Sequence, residues 1–259
     1  MDVVRSDSPS CHVDGAIARI TLASPGDANA IGAAVVAGLQ ECLERALSED
    51  QVRVIVLAAE GTVFSSGSNI AEFLSKDREA LRSDYQALAE LYQAFTRSPI
   101  PTVARVHGDA YGGALGLIAS CDLAIAGETA RFAFSEVRLG FAPVLAAIPV
   151  LKRVRAHDAL ELFVTGASFD ARRAASIGLV NRCVADDSLD RELEQLVGKI
   201  CLGAPRAIHI ARSVVATIGA LPDEAAYRSA LGYAEEFVAS SEAHEGVRAF
   251  IDGRPPSWS

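Results

Sequence analysis

Along the first half of the chain, apolar positions switch between a period of two and a helical period, the pattern of alternating β and α layers. Residues 16–22 read as a strand, Ser24 to Asp27 as a turn, and residues 31–47 as a helix. Residues 52–58 are rich in β-branched side chains and predict a buried strand, and 101–106, 122–126 and 130–134 continue the series. From Leu145 onward the strand signal fades and helical stretches dominate, over 158–164, 170–177, 189–201, 205–218, 223–238 and 242–251. No repeat, low-complexity tract or long Pro/Gly/Ser linker divides the chain. The pattern therefore predicts a mixed α/β core over residues 1–200 followed by a helical region over 201–259.

Composition narrows the classes of function. Half of the 259 residues are apolar and 22% are charged, enough to bury a substantial core. A formal net charge of −9 argues against a surface that neutralises phosphates, so nucleic acid is not an expected partner. The five cysteines (Cys11, Cys42, Cys121, Cys183, Cys201) are widely spaced and form no C-x-x-C pair, so no disulfide framework or metal site is expected, and a reducing, cytoplasmic compartment fits best. Residues 1–8 carry no apolar run behind a positive patch, and nowhere do about 18 uncharged apolar residues follow one another, so neither export nor a membrane span is expected.

Three segments carry candidate chemistry. The first, Phe64-Ser-Ser-Gly-Ser68, follows a buried strand and leads into a short amphipathic stretch from Ile70 to Leu74. Its small residues let a ligand approach unsatisfied backbone N–H groups, although the same composition describes an ordinary Gly/Ser loop. In the second, a strand runs into His107-Gly108 and then Gly112-Gly113-Ala-Leu-Gly116 at the start of an apolar helix. Paired glycines at a buried helix N-terminus expose N–H groups and the positive end of the helix dipole, a site for an oxyanion; they equally allow close helix packing. The spacing matches neither the Rossmann fingerprint nor a P-loop, and no G-x-S-x-G elbow occurs. The third places Glu136 among apolar neighbours in Phe134-Ser-Glu-Val-Arg138. A carboxylate in such a pocket has a raised pKa and exchanges protons near neutrality; the alternative is a surface ion pair with Arg138.

Together, in this order and spacing, the three segments resemble the enoyl-CoA hydratase/isomerase (crotonase) family. Residues 120–126, 162–171, 175–181 and 245–258 extend the similarity over nearly the whole chain. The resemblance implies a spiral of β-β-α units with a C-terminal helical trimerisation region, and a homotrimer or homohexamer. It implies an acyl-CoA thioester as substrate, with CoA as part of that substrate and no separate cofactor. Its oxyanion hole falls on the N–H groups of Ser68 and Gly113, and its acid/base on Glu136. Substrate contacts fall on Ser66, Gly67, Ile70, Gly112, Gly116 and Phe141, and on Phe250 beside a neighbouring subunit's CoA site. Phe73, Tyr111 and Val144 would help to shape the acyl pocket.

Hydratases of the family usually carry a second glutamate where this chain has Gly116. A single carboxylate suits a 1,3-proton shift, as in the enoyl-CoA isomerases. The Gly116-Leu117 ending together with Ser135-Glu-Val-Arg-Leu-Gly140 instead resembles a branch of hydratases that also look single-glutamate. Hydration is the leading expectation, isomerisation the alternative, and a catalytically silent acyl-CoA-binding protein the alternative of another class. Asp109 and Glu72 are candidates to replace the absent acid. A serine hydrolase using Ser65, Ser66 or Ser68 would need His107 beside the loop.

Overall fold

The computed structural model describes residues 8–218 and 221–258. Its first elements are β1 (Ser10–Asp14), β2 (Ile17–Leu22), α1 (Ala33–Leu47), β3 (Val54–Ala59), β4 (Val63–Ser65), α2 (Ile70–Ser75) and α3 (Arg78–Arg97). They are followed by β5 (Thr102–Val106), β6 (Asp109–Tyr111), α4 (Gly113–Ser120), β7 (Leu123–Gly127), β8 (Arg131–Ala133) and a 3-10 turn over Ser135–Leu139. Then come α5 (Ala147–Leu151), α6 (Ala156–Thr165), β9 (Phe169–Asp170), α7 (Ala171–Ser176), β10 (Arg182–Val184), α8 (Leu189–Cys201), α9 (Pro205–Thr217), α10 (Asp223–Ala239) and α11 (Ser241–Asp252).

The strands fall into two sheets. Among the described residues, one sheet has the order β1-β2-β3-β5-β7-β10, parallel except for β1 against β2, and the other has the order β4-β6-β8-β9. Successive pairs β3–β4, β5–β6 and β7–β8 each put one strand in the large sheet and the next in the small one. That alternation is the spiral of β-β-α turns. β3 is an unbroken apolar run and is buried along almost its whole length, as central parallel strands are. α1 lays Val35, Val36, Leu39, Leu43 and Ala46 on the sheet at helical spacing. Phe64, Phe95, Phe132 and Phe134 are fully enclosed, each contributing about 1.5–3 kcal/mol by burial.

Several elements depart from the sequence expectation, among them the short strands β1, β4 and β6, which it does not contain. The longest helix, α3, is absent from it, because its apolar residues are interspersed with charged and polar ones and only Leu88, Leu91, Tyr92 and Phe95 are buried. Asp77 caps α3 by accepting from the Ala80 N–H at 2.8 Å. Strands also continue past Leu145, as β9 and β10; both are too short to show a period of two, and neighbouring strands β8 and β7 recruit them.

The chain divides into two compact units between Gln195 and Leu196, inside α8 and shortly before the boundary at 200 that the sequence suggests. In the second unit α9, α10 and α11 leave Val215, Tyr227, Leu231, Val238, Val247, Phe250 and Ile251 exposed, while Trp258 donates to the Leu202 carbonyl at 3.0 Å. Among the described residues no helix is long and apolar enough to cross a membrane.

One helix of the first unit matters most for the site. Every residue of α4 is buried, and Arg153 serves the backbone at its C-terminal end, donating to the carbonyls of Ala119 at 2.7 Å, of Asp122 at 3.1 Å and of Cys121. On the facing side, buried Asn29 sits at φ 52° and spends its whole amide on backbone. It accepts from Ser24 N–H at 2.9 Å and donates to the Glu60 and Val63 carbonyls at 2.8 and 2.9 Å. These bonds tie the turn after β2 to β4 and so set the loop that follows. Replacing Asn29 with Ala strands three backbone groups, and a loss of about 2–4 kcal/mol in urea unfolding is expected.

Candidate active site

The loop after β4 runs beside residues 28–31, and its backbone donors are used in turn. Ser66 N–H donates to Ala28 O at 2.9 Å, Gly67 N–H to Ser65 Oγ at 3.1 Å, and Asn69 N–H to Ile31 O at 3.2 Å. Ser68 N–H alone in this run has no partner among the described residues. Ser65 Oγ is fully buried and donates to Asn29 O at 2.7 Å, so it is a structural hydroxyl and no nucleophile.

The second loop meets the first face to face. Gly112 caps α4 at φ 52°, ψ −120°, a conformation open only to glycine. Its N–H donates to Ala133 O at 2.9 Å, whereas the Gly113 N–H, first in the helix, has no partner among the described residues. Gly67, at φ 87°, lies so close that a Cβ there would collide with the Tyr111 carbonyl and stand 3.3 Å from Gly113 N. A Cβ on Gly113 would lie 3.8 Å from Ser68 N. The two unpaired donors are therefore neighbours, with the positive end of a buried helix behind one of them.

Glu136 stands over this pair. A Cβ on Gly112 would be 3.0 Å from its Oε1, while Oε2 is buried without a hydrogen-bond partner in the protein. Burial pushes the Glu136 pKa up, and a bond from its own backbone N–H opposes this in part. Arg138 does not neutralise it; that guanidinium turns to the Thr165 carbonyl. The surface ion pair allowed by the sequence is thus not formed.

All of this opens on one cavity of about 630 Å³, the size of a small-molecule pocket. Of the residues named from sequence, Ser66, Ser68, Ile70, Gly112, Gly113, Glu136 and Phe141 line it, with Phe73 and Val144. Phe73 and Phe141 meet edge to face, with ring centroids 4.8 Å apart. Gly67 and Gly116 do not line the cavity: Gly67 is turned against the Tyr111 carbonyl, and Gly116 is buried under Tyr92 and Ala146. Tyr111 does not line it either, because its hydroxyl donates to Asp109 at 2.7 Å. Asp109 also accepts from Arg131 N–H at 2.9 Å, which leaves it engaged in structure. Phe250 belongs to the other unit, on α11, and is exposed. His107 Nε2 lies 2.9 Å from Gly61 O, and His107 is not among the cavity residues.

α3 supplies the residues that sequence reasoning missed: Leu81, Asp84, Tyr85, Leu88 and Tyr92 line the same cavity. Glu72 lines it too, held by Lys76, which also binds Asp84 at 2.7 Å. Tyr92 is the most consequential of these. Its hydroxyl donates to Gly113 O at 2.6 Å, and a Cβ on Gly116 would come within 2.8 Å of the Tyr92 ring and hydroxyl and of Ala146 Cα. The position where a second carboxylate could project from α4 is filled by a phenol. Desolvation, followed by the charge of Glu136, holds that phenol far above its ordinary pKa, so it stays neutral. The tyrosine could have been noticed as the one polar tip in the stripe of α3, but nothing in the sequence says what it meets. Among the described residues, no group of three or more His, Cys, Asp or Glu side chains is arranged to hold a metal ion.

Comparison with known proteins gives the family of the chain. A family model described as enoyl-CoA hydratase/isomerase matches residues 12–259. The mitochondrial enoyl-CoA hydratase domain-containing protein 3 of Rattus norvegicus is 32% identical over 252 residues, covering 94% of this chain and 81% of its own. A mevalonyl-coenzyme A hydratase of Aspergillus fumigatus is 28% identical, covering 93% and 91%. Among solved structures, an enoyl-CoA hydratase of Mycobacterium smegmatis superposes with a TM-score of 0.91 at 32% identity, covering 96% of this chain and 98% of its own. With two glycine-bearing loops presenting adjacent N–H donors beneath one carboxylate, and a family model spanning almost its full length, the chain belongs to the enoyl-CoA hydratase/isomerase family.

Proposed function

We propose that this chain is an enoyl-CoA hydratase-like enzyme that holds the thioester oxygen of a 2-enoyl-CoA between the N–H groups of Ser68 and Gly113. Glu136 is its acid/base. The observation that carries the reading is the partnerless Oε2 of Glu136, buried at a cavity that also receives two unpaired backbone donors. As charge develops on the thioester oxygen, those donors strengthen without rearranging, each worth about 3 kcal/mol in comparable sites. Water gives one proton to the Glu136 carboxylate as its oxygen bonds to C3, and the enolate collects that proton at C2. The apolar wall of Phe73, Leu88, Phe141 and Val144 favours a hydrocarbon acyl chain and keeps bulk water from the enolate.

A second reading, double-bond migration between C3 and C2, is favoured by one feature: no side chain fits at Gly116 to carry a second acid. There Glu136 removes a proton from C2 and returns it to C4. A product-resolved assay of 2-enoyl and 3-enoyl thioesters separates the two, and tight acyl-CoA binding with no product from either would leave the silent binder. Self-association through the C-terminal helices also belongs to the proposal, supported by the apolar side chains that α9, α10 and α11 leave exposed. Light scattering should give the mass of a trimer or hexamer; a monomer would remove this part.

Glu136→Gln should lower turnover by about 10²–10⁴-fold while acyl-CoA still binds in calorimetry; full activity in the variant would end the mechanism. Because burial raises the Glu136 pKa, the acid limb of kcat/KM should lie above the ordinary carboxylate range. Stability follows with a definite sign. Between its unfolded and its raised folded pKa, Glu136 binds more protons in the native state, so its contribution falls as pH rises through that window. Glu136→Gln should therefore melt higher than the parent near pH 8, with the difference vanishing on acidification below the ordinary carboxylate pKa.

A further inference from the structure

We infer that Tyr92 is a catalytic residue for hydration: its phenolic oxygen accepts a hydrogen bond from the attacking water and takes over the holding role for which Gly116 has no side chain. This rests on the proposed hydration at Glu136. Four observations carry it. Tyr92 borders the cavity although only 4% of its surface is exposed. Its proton is committed to Gly113 O at 2.6 Å, which fixes the ring and leaves the oxygen's remaining capacity as an acceptor only. The oxygen lies 2.8 Å from where a Cβ on Gly116 would be, so the phenol occupies the volume open to a side chain at that position of α4. Consecutive residues, Gly112 and Gly113, face Glu136 Oε1 at 3.0 Å and the Tyr92 hydroxyl at 3.3 Å from their Cβ positions, which brings carboxylate and phenol to one short stretch of backbone.

A water between the two acceptors donates one hydrogen to Glu136 and the other to Tyr92. Both of its protons are then held, and its lone pairs are turned toward C3 of a thioester whose oxygen sits on Ser68 and Gly113 N–H. In the step itself the water oxygen bonds to C3 as its bond to one hydrogen breaks. That proton goes to Glu136 and from there to C2, so that one water is added across the double bond. Tyr92 keeps its own proton throughout. It orients the nucleophile and carries no charge, in keeping with a buried phenol beside a carboxylate.

The test separates water handling from enolate chemistry in one variant. Tyr92→Phe keeps the ring that fills the space beside Gly116 and removes the oxygen. Two rates are measured for the parent and for the variant: hydration of crotonyl-CoA, and exchange of the C2 protons of butyryl-CoA for deuterium in D2O, which needs Glu136 and the oxyanion donors but no attacking water. Hydration should fall about tenfold or more in kcat, the effect of one hydrogen bond made to the reacting water, while C2 exchange stays within about twofold. Unchanged hydration would overturn the assignment. A parallel fall in both rates would also overturn it, since loss of the bond to Gly113 O would then have disturbed the oxyanion site as a whole. A parent enzyme that exchanges C2 protons but hydrates nothing would remove the role of Tyr92 and leave the enolate reading standing. A parent that does neither would remove both.

Discussion

Everything in the site depends on two backbone segments approaching more closely than any side chain would allow. The loop after β4 and the start of α4 touch at Gly67, where the Tyr111 carbonyl excludes a Cβ, and at Gly113, whose missing Cβ opens the way to Ser68 N. Only this contact brings two N–H groups from distant parts of the chain to one point. The rest of the fold works to hold it. Asn29 anchors the first loop through four backbone groups, including its own carbonyl bonded to Ser65 Oγ, and Arg153 satisfies the far end of α4. The buried helix thus gains donors for carbonyls at its C-terminal end, while the N–H of Gly113 at its N-terminus stays available.

Leaving donors and an acceptor unpaired in an apolar cavity costs stability. Native proteins tolerate few buried polar groups without partners, and here the N–H of buried Gly113 and Glu136 Oε2 gather at one cavity, beside the unpaired N–H of the more exposed Ser68. A set of complementary unsatisfied groups around a cavity is what a developing oxyanion and a moving proton require. The raised pKa of Glu136 follows from the same burial, because desolvation disfavours its charged form.

Gly116 gains a physical meaning from its neighbours. It is more than a site where a carboxylate is missing: Tyr92 and Ala146 press on it from two sides, and no residue with a Cβ fits while they stay. The glycine of α4 and the tyrosine of α3 are a matched pair in packing, since the ring of one fills the space beside the other.

Much of this was legible in the chain alone. The alternation of periods identified the α/β core, and residues 52–58 read as a buried strand from their β-branched content, which the structure forms over Val54–Ala59. The paired glycines before an apolar helix and the glutamate among apolar neighbours marked the site because glycine conformation and carboxylate desolvation are local properties. Tertiary structure decided what local pattern could not express. It assigned which N–H groups stay unpaired, because that depends on Ala28, Ile31 and Ala133 taking the others. It turned Gly67 and Gly116 away from the cavity, engaged Asp109 with Tyr111 and Arg131, and brought α3 over the site. Tyr92 stands far from Gly116 in sequence and touches it in space, and a contact between residues on different helices leaves no trace in the periodicity of either.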